Sequence, residues 1–181
     1  MDLIDLLETA RAEYVAVFEA AHAEQSTRFG EVIPEMAFRA GDGPFHGRVV
    51  VDLIGRSAGG DRAIAVLPPE AASVGPGAVE YAGLDVSVEA LSWGAVRFEV
   101  APTPVEIAGL GAWFDDWIDL EGGHQTEGAL LSGVIHSVNV TSRGIEVDFG
   151  SAPVAAATEL LALLSQSGVE TVTIAGPKEA R

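Results

Sequence analysis

The sequence predicts an α+β fold in which most strands are antiparallel and three amphipathic helices pack on the sheet. Two observations predict this class. Apolar residues recur with helical spacing in three segments, and they alternate with polar residues in about seven others. This alternation is typical of antiparallel strands with one solvated face, because strands of parallel sheets are apolar on both faces. The predicted order is α-β-β-β-β-α-β-β-α-β.

The predicted helices have recognisable ends. Asp2 is a predicted N-cap of the first helix, and Thr103, followed by proline, is a predicted start of the second. Gly122 and Gly168 follow the second and third helices, where glycine commonly ends a helix. In chain order the predicted helical ranges are 3–26, 103–120 and 154–166.

The strands are predicted from alternation and from turn residues between them. The segment 29–47 is rich in glycine and proline and is interpreted as a long connection that can include a short strand. In 48–54, Val49, Val51 and Leu53 share one face, and Arg48 and Asp52 share the other. The predicted strands cover residues 48–54, 63–67, 79–88, 95–100, 130–141, 145–149 and 169–174. We interpret 1–181 as a single α+β domain; the alternative is two α-β-β halves, 1–101 and 102–181, that share a core.

The charge of the chain limits its partners. It has 27 acidic and 10 basic residues and a net charge of −17. Between Phe98 and Pro177, eleven acids accompany only one arginine, Arg143. Such a field repels nucleic-acid phosphates and anionic lipids, and it favours a basic protein or a cation. We therefore expect neither nucleic acid nor membrane as a partner.

Other compositional features indicate a cytoplasmic protein. The N-terminus is acidic where a signal peptide is basic, and no apolar run approaches the ~20 residues that span a bilayer. The chain has no cysteine, which excludes disulfides, thiolate metal sites and a cysteine nucleophile. Abundant alanine and nine arginines against one lysine indicate a bacterial origin. No feature of the sequence implies a cofactor.

One motif raises the hypothesis of a serine hydrolase. Gly55-Arg56-Ser57-Ala58-Gly59 matches G-x-S-x-G, and this short string resembles the nucleophile elbow of α/β-hydrolases. That elbow lies between a buried parallel strand and a helix. Here the preceding strand alternates, and the following residues reach two prolines before a helix can form. We therefore interpret the string as a glycine-rich turn between strands 48–54 and 62–67, with Ser57 as the candidate nucleophile of the alternative.

The second predicted helix carries the clearest acidic face. Its apolar positions form one broad arc, and three aspartates lie on the opposite side. The apolar positions are Ile107, Leu110, Trp113, Phe114, Trp117, Ile118 and Leu120. Asp115, Asp116, Asp119 and the following Glu121 are the candidate partner-binding residues. A solvated face is the simplest interpretation of these acids, and an acidic binding surface is the functional one.

A carboxylate–histidine metal site is a second hypothesis for this region. Asp115 and Asp119 are one helical turn apart and can share a cation with His124 or His136. No His-x-x-x-His or His-Glu-x-x-His spacing supports such a site, so we expect no metal to be required. His136 alternates onto the face of Val134, Val138 and Val140 and is predicted to point inward. A histidine in that position is functional when a carboxylate or hydroxyl shares its pocket, and Ser57 would need such a base.

These observations favour a non-enzymatic acidic binding protein, of the inhibitor or immunity type found in bacteria, that engages a basic protein. The alternative is a small hydrolase that uses Ser57, or a metal held by Asp115, Asp119, His124 and His136. The hydrolase alternative requires the fold to bring a serine hydroxyl or a metal ion beside a histidine. The binding-protein interpretation does not require this.

Since we interpret Ser57 as part of a turn, we expect no activated serine in the purified protein. A fluorophosphonate probe should label the wild type no more than it labels Ser57→Ala. Labelling that is lost in Ser57→Ala would establish the hydrolase alternative.

Overall fold

The computed structural model describes residues 2–39, 48–67, 72–73 and 78–177. These residues form three helices and eleven strands, which confirms the predicted α+β class. The helices are α1 (Leu3–Ser26), α2 (Leu110–Ile118) and α3 (Val154–Gln166). The strands are β1 (Glu31–Arg39), β2 (Arg48–Ser57), β3 (Gly60–Ile64), β4 (Ala72–Ser73), β5 (Ala78–Tyr81), β6 (Leu84–Val88), β7 (Ala90–Leu91), β8 (Val96–Ala101), β9 (Ser137–Thr141), β10 (Gly144–Asp148) and β11 (Thr171–Ala175).

The strands form a three-stranded sheet, a six-stranded sheet and a short two-stranded ladder. The small sheet has the order β1-β2-β3, and the large one has the order β5-β6-β11-β8-β10-β9. Of the pairs in these sheets, β6 and β11 are parallel and the others are antiparallel. The mostly antiparallel arrangement is therefore as predicted. The large sheet takes three strands from before α2 and three from after it.

Two of the helices have the predicted boundaries. Asp2 caps α1 in a reciprocal capping box with Asp5, and the helix buries Leu3, Leu7, Tyr14 and Phe18 among other residues. Helix α3 buries its alanine and leucine face against the core. No helix in the described part of the chain is both long and apolar enough to cross a bilayer.

Helix α2 is shorter than predicted at both ends. It begins after Gly109, whose φ of 82° turns the chain into the helix, so Thr103 is not its cap. It ends at Asp119, which adopts a left-handed conformation with φ of 42°. The predicted amphipathic faces are nevertheless correct. Trp113 and Trp117 are buried, and their indole N–H groups donate to Ala156 O and Glu159 Oε2 of α3.

Two strand predictions, for residues 29–47 and 79–88, differ from the structure. The segment interpreted as a long connection contains β1, a nine-residue strand that is longer than the short strand expected there and includes Pro34. Residues 40–47 of this segment lie outside the described residues. The single strand predicted over 79–88 is a β5–β6 hairpin, because Ala82 and Gly83 both have positive φ. Such a conformation is uncommon for alanine, so no turn is predicted at this position.

The chain before β9 joins the two sheets. Only 137–141 of the predicted strand 130–141 forms β9. The residues just before it bond to three different elements. Ile135 N–H donates to Trp117 O, and Val50 N–H of β2 donates to His136 O. His136 N–H in turn donates to Asp148 O of the large sheet. His136 therefore lies at the junction of the small sheet, the large sheet and α2.

Candidate functional site

The predicted hairpin is present, but Ser57 lies in a strand and not in the turn, because β2 extends beyond the predicted residue 54. Ser57 is the last residue of β2, exposed, and followed by a tight antiparallel turn into β3. Its hydroxyl donates to Gly60 O and accepts from Gly59 N–H, both within the same hairpin. The structure thus shows a hairpin rather than the strand–turn–helix of a nucleophile elbow.

The predicted acidic residues lie together around an open groove at the C-terminal end of α2. Asp115, Asp116, Asp119 and Glu121 line this groove, which has a volume of about 520 Å³, together with Arg39, Arg48 and His124. We call it the acidic groove. The Asp115 and Asp116 side chains are 60% and 67% exposed. The groove therefore presents carboxylates to solvent and also contains cationic side chains of its own.

Each aspartate of the acidic groove has a partner within the protein. Asp115 forms an ion pair with Arg48 of β2. The Asp119 carboxylate accepts from the amides of Gly123 and His124 at 2.7 and 2.6 Å, so it holds the loop that follows α2. The His124 ring lies 3.7 Å from Asp116 and packs on Trp117. These contacts preorganise the groove, and they do not bring Asp115, Asp119 and His124 together as metal ligands.

His136 is the centre of a second site, which we call the buried histidine cluster: Glu35, Asp52, His136 and Asp148. His136 is 2% exposed, which confirms that it points inward. Its Nε2 is 3.0 Å from Glu35 Oε1. On the other side of the ring, Nδ1 is 2.8 Å from Asp52 Oδ1 and 3.9 Å from Asp148 Oδ1. A carboxylate thus shares the pocket of this histidine on both sides.

Two of these carboxylates lie opposite each other on neighbouring strands. Pro34 pairs with Leu53 and Met36 pairs with Val51, which places Glu35 across from Asp52. Like charges at opposed positions repel, and the His136 ring relieves this repulsion because it contacts both. Glu35 adopts a left-handed backbone with φ of 48°, a strained conformation for a residue other than glycine. Strain of this kind is characteristic of sites where function or tight packing fixes the backbone.

Backbone amides satisfy the carboxylates of the cluster. Glu35 accepts from the N–H groups of Ser132 and Ser151, in addition to its contact with His136. Asp52 Oδ2 accepts from Val66 N–H at 2.6 Å. Asp148 Oδ1 accepts from Gly150 N–H at 3.0 Å. The orientation of all three acids is therefore fixed by the surrounding main chain.

The ring of His136 is closely surrounded. Tyr14 and Phe18 of α1 meet it edge-on, with ring centroids 6.5 and 6.2 Å away. Gly150 packs against the ring so closely that a methyl group at this position would overlap it and would also meet Val134 O. Gly150 has a φ of 48°, so a larger residue is excluded by conformation as well as by space.

The pKa values of the ionisable groups in and around the cluster depend on one another. Burial by itself lowers the pKa of His136, but the contacts with Asp52 and Glu35 and the charge of Asp148 overcome this and raise it to about 10. Burial opposes ionisation of Glu35, yet the hydrogen bond and charge of His136 leave its pKa below the usual value. Burial, with the charges of Asp52 and Glu35, raises the pKa of Asp148 to about 6. Burial and the three acids also raise the pKa of Tyr14, which stays neutral.

The sequence hypothesis grouped His136 with Asp115 and Asp119, whereas the structure surrounds it with Glu35, Asp52 and Asp148. Residues 35, 52, 136 and 148 have no common spacing, and alternation in the sequence places Asp52 on the face of Arg48, opposite Val49. In the structure the Asp52 side chain is only 14% exposed, and Val49 of the same strand is one of the exposed apolar residues. The inward alternation of His136 was the one signal that pointed to this site.

Comparisons with protein-family models, with curated proteins and with solved structures find no match to this chain.

The raised pKa of His136 predicts a defined pH dependence of stability in metal-free buffer. A histidine whose pKa rises from 6.5 to about 10 on folding stabilises the protein fully below pH 6.5 and loses that contribution as pH rises toward 10. We expect the free energy of unfolding to fall over this range in the wild type and in the control His22→Gln, and to change less in His136→Gln.

An NMR titration of the His136 ring tests the same point without a variant. Its signals should remain those of an imidazolium through neutral pH and change toward about pH 10. A transition near 6.5 would contradict the assigned charge state.

Proposed function

We propose that this chain is a non-enzymatic binding protein that engages a basic protein partner through the acidic groove. The observation that carries the proposal is that Asp115, Asp116, Asp119 and Glu121 line one open groove. A groove with carboxylates from a helix end and its following loop suits lysine or arginine side chains of a partner.

The charge of the whole chain supports this proposal. A net charge of −17 extends an attractive field well beyond the groove, and such fields raise the rate at which oppositely charged proteins meet. A bacterial inhibitor or immunity-type protein that covers a basic active site in the cytoplasm would use these properties.

The internal contacts of the groove indicate which of its acids would bind the partner directly. Arg48 pairs with Asp115, so an arginine of the partner would replace Arg48 at this carboxylate. Asp119 holds two loop amides and keeps the groove in shape. We therefore assign the direct contacts to Asp115, Asp116 and Glu121, and we assign to Asp119 the positioning of the loop.

The proposal predicts opposite effects of two changes in the groove. The partner is first captured from a lysate of the native host on immobilised protein and identified, and its association rate is then measured at low and high salt. Asp116→Asn with Glu121→Gln should slow association at low salt by roughly threefold to tenfold. Arg48→Gln should accelerate it, because it removes the internal competitor for Asp115. High salt should reduce both differences.

A matched control variant removes the same number of negative charges from a surface outside the groove. Glu8 and Glu13 are exposed on α1, so Glu8→Gln with Glu13→Gln removes two charges outside the groove. This control should change the rate much less than the groove variant does. Equal effects of the two double variants, or a partner that is acidic, would contradict the proposal.

A further inference from the structure

We propose that Asp52, His136 and Asp148 bind one divalent transition-metal ion, with Zn²⁺ as the best fit. One ligand atom from each residue lies within 4.8 Å of the others. From His136 Nδ1 the carboxylate oxygens are 2.8 and 3.9 Å away. Ligands about 2.1 Å from a tetrahedral zinc ion are roughly 3.4 Å apart, so small side-chain rotations reach that geometry. This site is separate from the acidic groove and does not depend on the function proposed for it.

The independent observation is the state of His136 Nδ1. This atom is fully buried and has no aligned hydrogen-bond partner among the described residues. Asp52 Oδ1 is close enough to bond, but it lies off the direction of the ring N–H. A buried imidazole nitrogen without an aligned partner is costly, since it has given up water without replacement. Metal binding would release the Nδ1 proton to solvent. With the remaining proton on Nε2, Nδ1 then directs a lone pair into the space beside the two aspartates.

Glu35 completes a recognised arrangement for a metal-bound histidine. Nε2 and Glu35 Oε1 are 3.0 Å apart, on the side of the ring away from Asp52 and Asp148. Histidine ligands usually donate their second ring N–H to a carboxylate or carbonyl, which fixes the tautomer and makes the metal-bound nitrogen more basic. Glu35 is in turn held by the amides of Ser132 and Ser151. Glu35 is therefore a positioning residue and does not bind the ion.

The charge balance of the cluster also favours a cation. Three carboxyl groups surround one imidazole in a largely buried volume, so even a protonated histidine leaves excess negative charge. Uncompensated charge in the protein interior is strongly unfavourable. A divalent ion would offset Asp52 and Asp148, while Glu35 would keep its three hydrogen-bond donors.

The aspartates are oriented and one of them is accessible. Val66 N–H occupies Asp52 Oδ2, which leaves Oδ1 toward His136. The Asp148 side chain is 30% exposed and lines an open cleft of about 350 Å³ with Ser137 and Asn139. An ion can thus reach the cluster from this cleft. Three protein ligands leave a coordination position for water, as in open zinc sites rather than closed structural ones.

The ligand types decide which ion fits. An imidazole with two carboxylates suits Zn²⁺, Mn²⁺ or Fe²⁺, whereas Ca²⁺ and Mg²⁺ prefer oxygen ligands alone. Zn²⁺ also accepts the low coordination number that three side chains and water provide.

The proposal is tested by calorimetric titration of Zn²⁺ into chelator-treated full-length protein. We expect one ion per chain and a thermal unfolding midpoint that rises with Zn²⁺ concentration. Asp148→Asn should weaken binding at least tenfold, and Glu35→Gln should weaken it by about 10- to 100-fold through loss of the histidine orientation. The control Asp85→Asn removes an exposed aspartate of β6, outside both the cluster and the acidic groove, and should leave the affinity unchanged.

A second measurement needs no variant. Mn²⁺ added to the wild type should broaden the NMR signals of His136 before those of His124, because paramagnetic broadening depends steeply on distance. The proposal is overturned if Zn²⁺ does not bind at one ion per chain. It is also overturned if Asp85→Asn and Asp148→Asn weaken binding equally, or if Mn²⁺ broadens His124 first.

Discussion

The contact of His136 with Glu35 and Asp52 is the interaction on which the architecture depends. The two acids face each other across β1 and β2, and the histidine comes from the segment that precedes β9 in the other sheet. Surface ion pairs contribute little to stability, but removing one partner of a buried charged pair costs about 3–5 kcal/mol. The two sheets are therefore held together by groups that tolerate little change. The left-handed Glu35 and the closely packed Gly150 both lie against this ring.

The protein separates its charge into two environments with different consequences. In the acidic groove the carboxylates are exposed and balanced in part by Arg48 and His124, so their effect is long-range and sensitive to salt. In the buried histidine cluster the carboxylates accept hydrogen bonds from backbone amides and contact the same imidazole. Their interactions are therefore short-range and depend on exact positions. A smaller cleft of about 270 Å³ extends between the two regions, since Glu35, Asp119 and Glu121 all line it. The acidic groove therefore lies next to the buried histidine cluster.

Much of the fold could be predicted because it depends on local signals. The Asp2 cap predicts the start of α1, and the alternation around His136 predicts that it points inward. The failures occur where longer-range constraints decide the backbone: Ala82 takes a positive φ to close a hairpin, and Gly109 starts a helix that Thr103 had been expected to cap. In the acidic groove, helical periodicity predicts that Asp115, Asp116 and Asp119 lie opposite the apolar face of α2. The buried histidine cluster could not be predicted, because its four members come from β1, β2, the segment before β9 and β10, and only the pairing of strands brings them together.

The most direct test is a double-mutant cycle between Glu35→Gln and His136→Gln, measured as free energies of unfolding in metal-free buffer. If the buried pair joins the two sheets, each single change should cost several kcal/mol, and the double variant should cost less than their sum by about 2–3 kcal/mol. The exposed pair Arg56–Glu31 provides the comparison, with a coupling of about 0–1 kcal/mol for Arg56→Gln and Glu31→Gln. Additivity of Glu35→Gln and His136→Gln to within about 0.5 kcal/mol would contradict the role assigned to this pair.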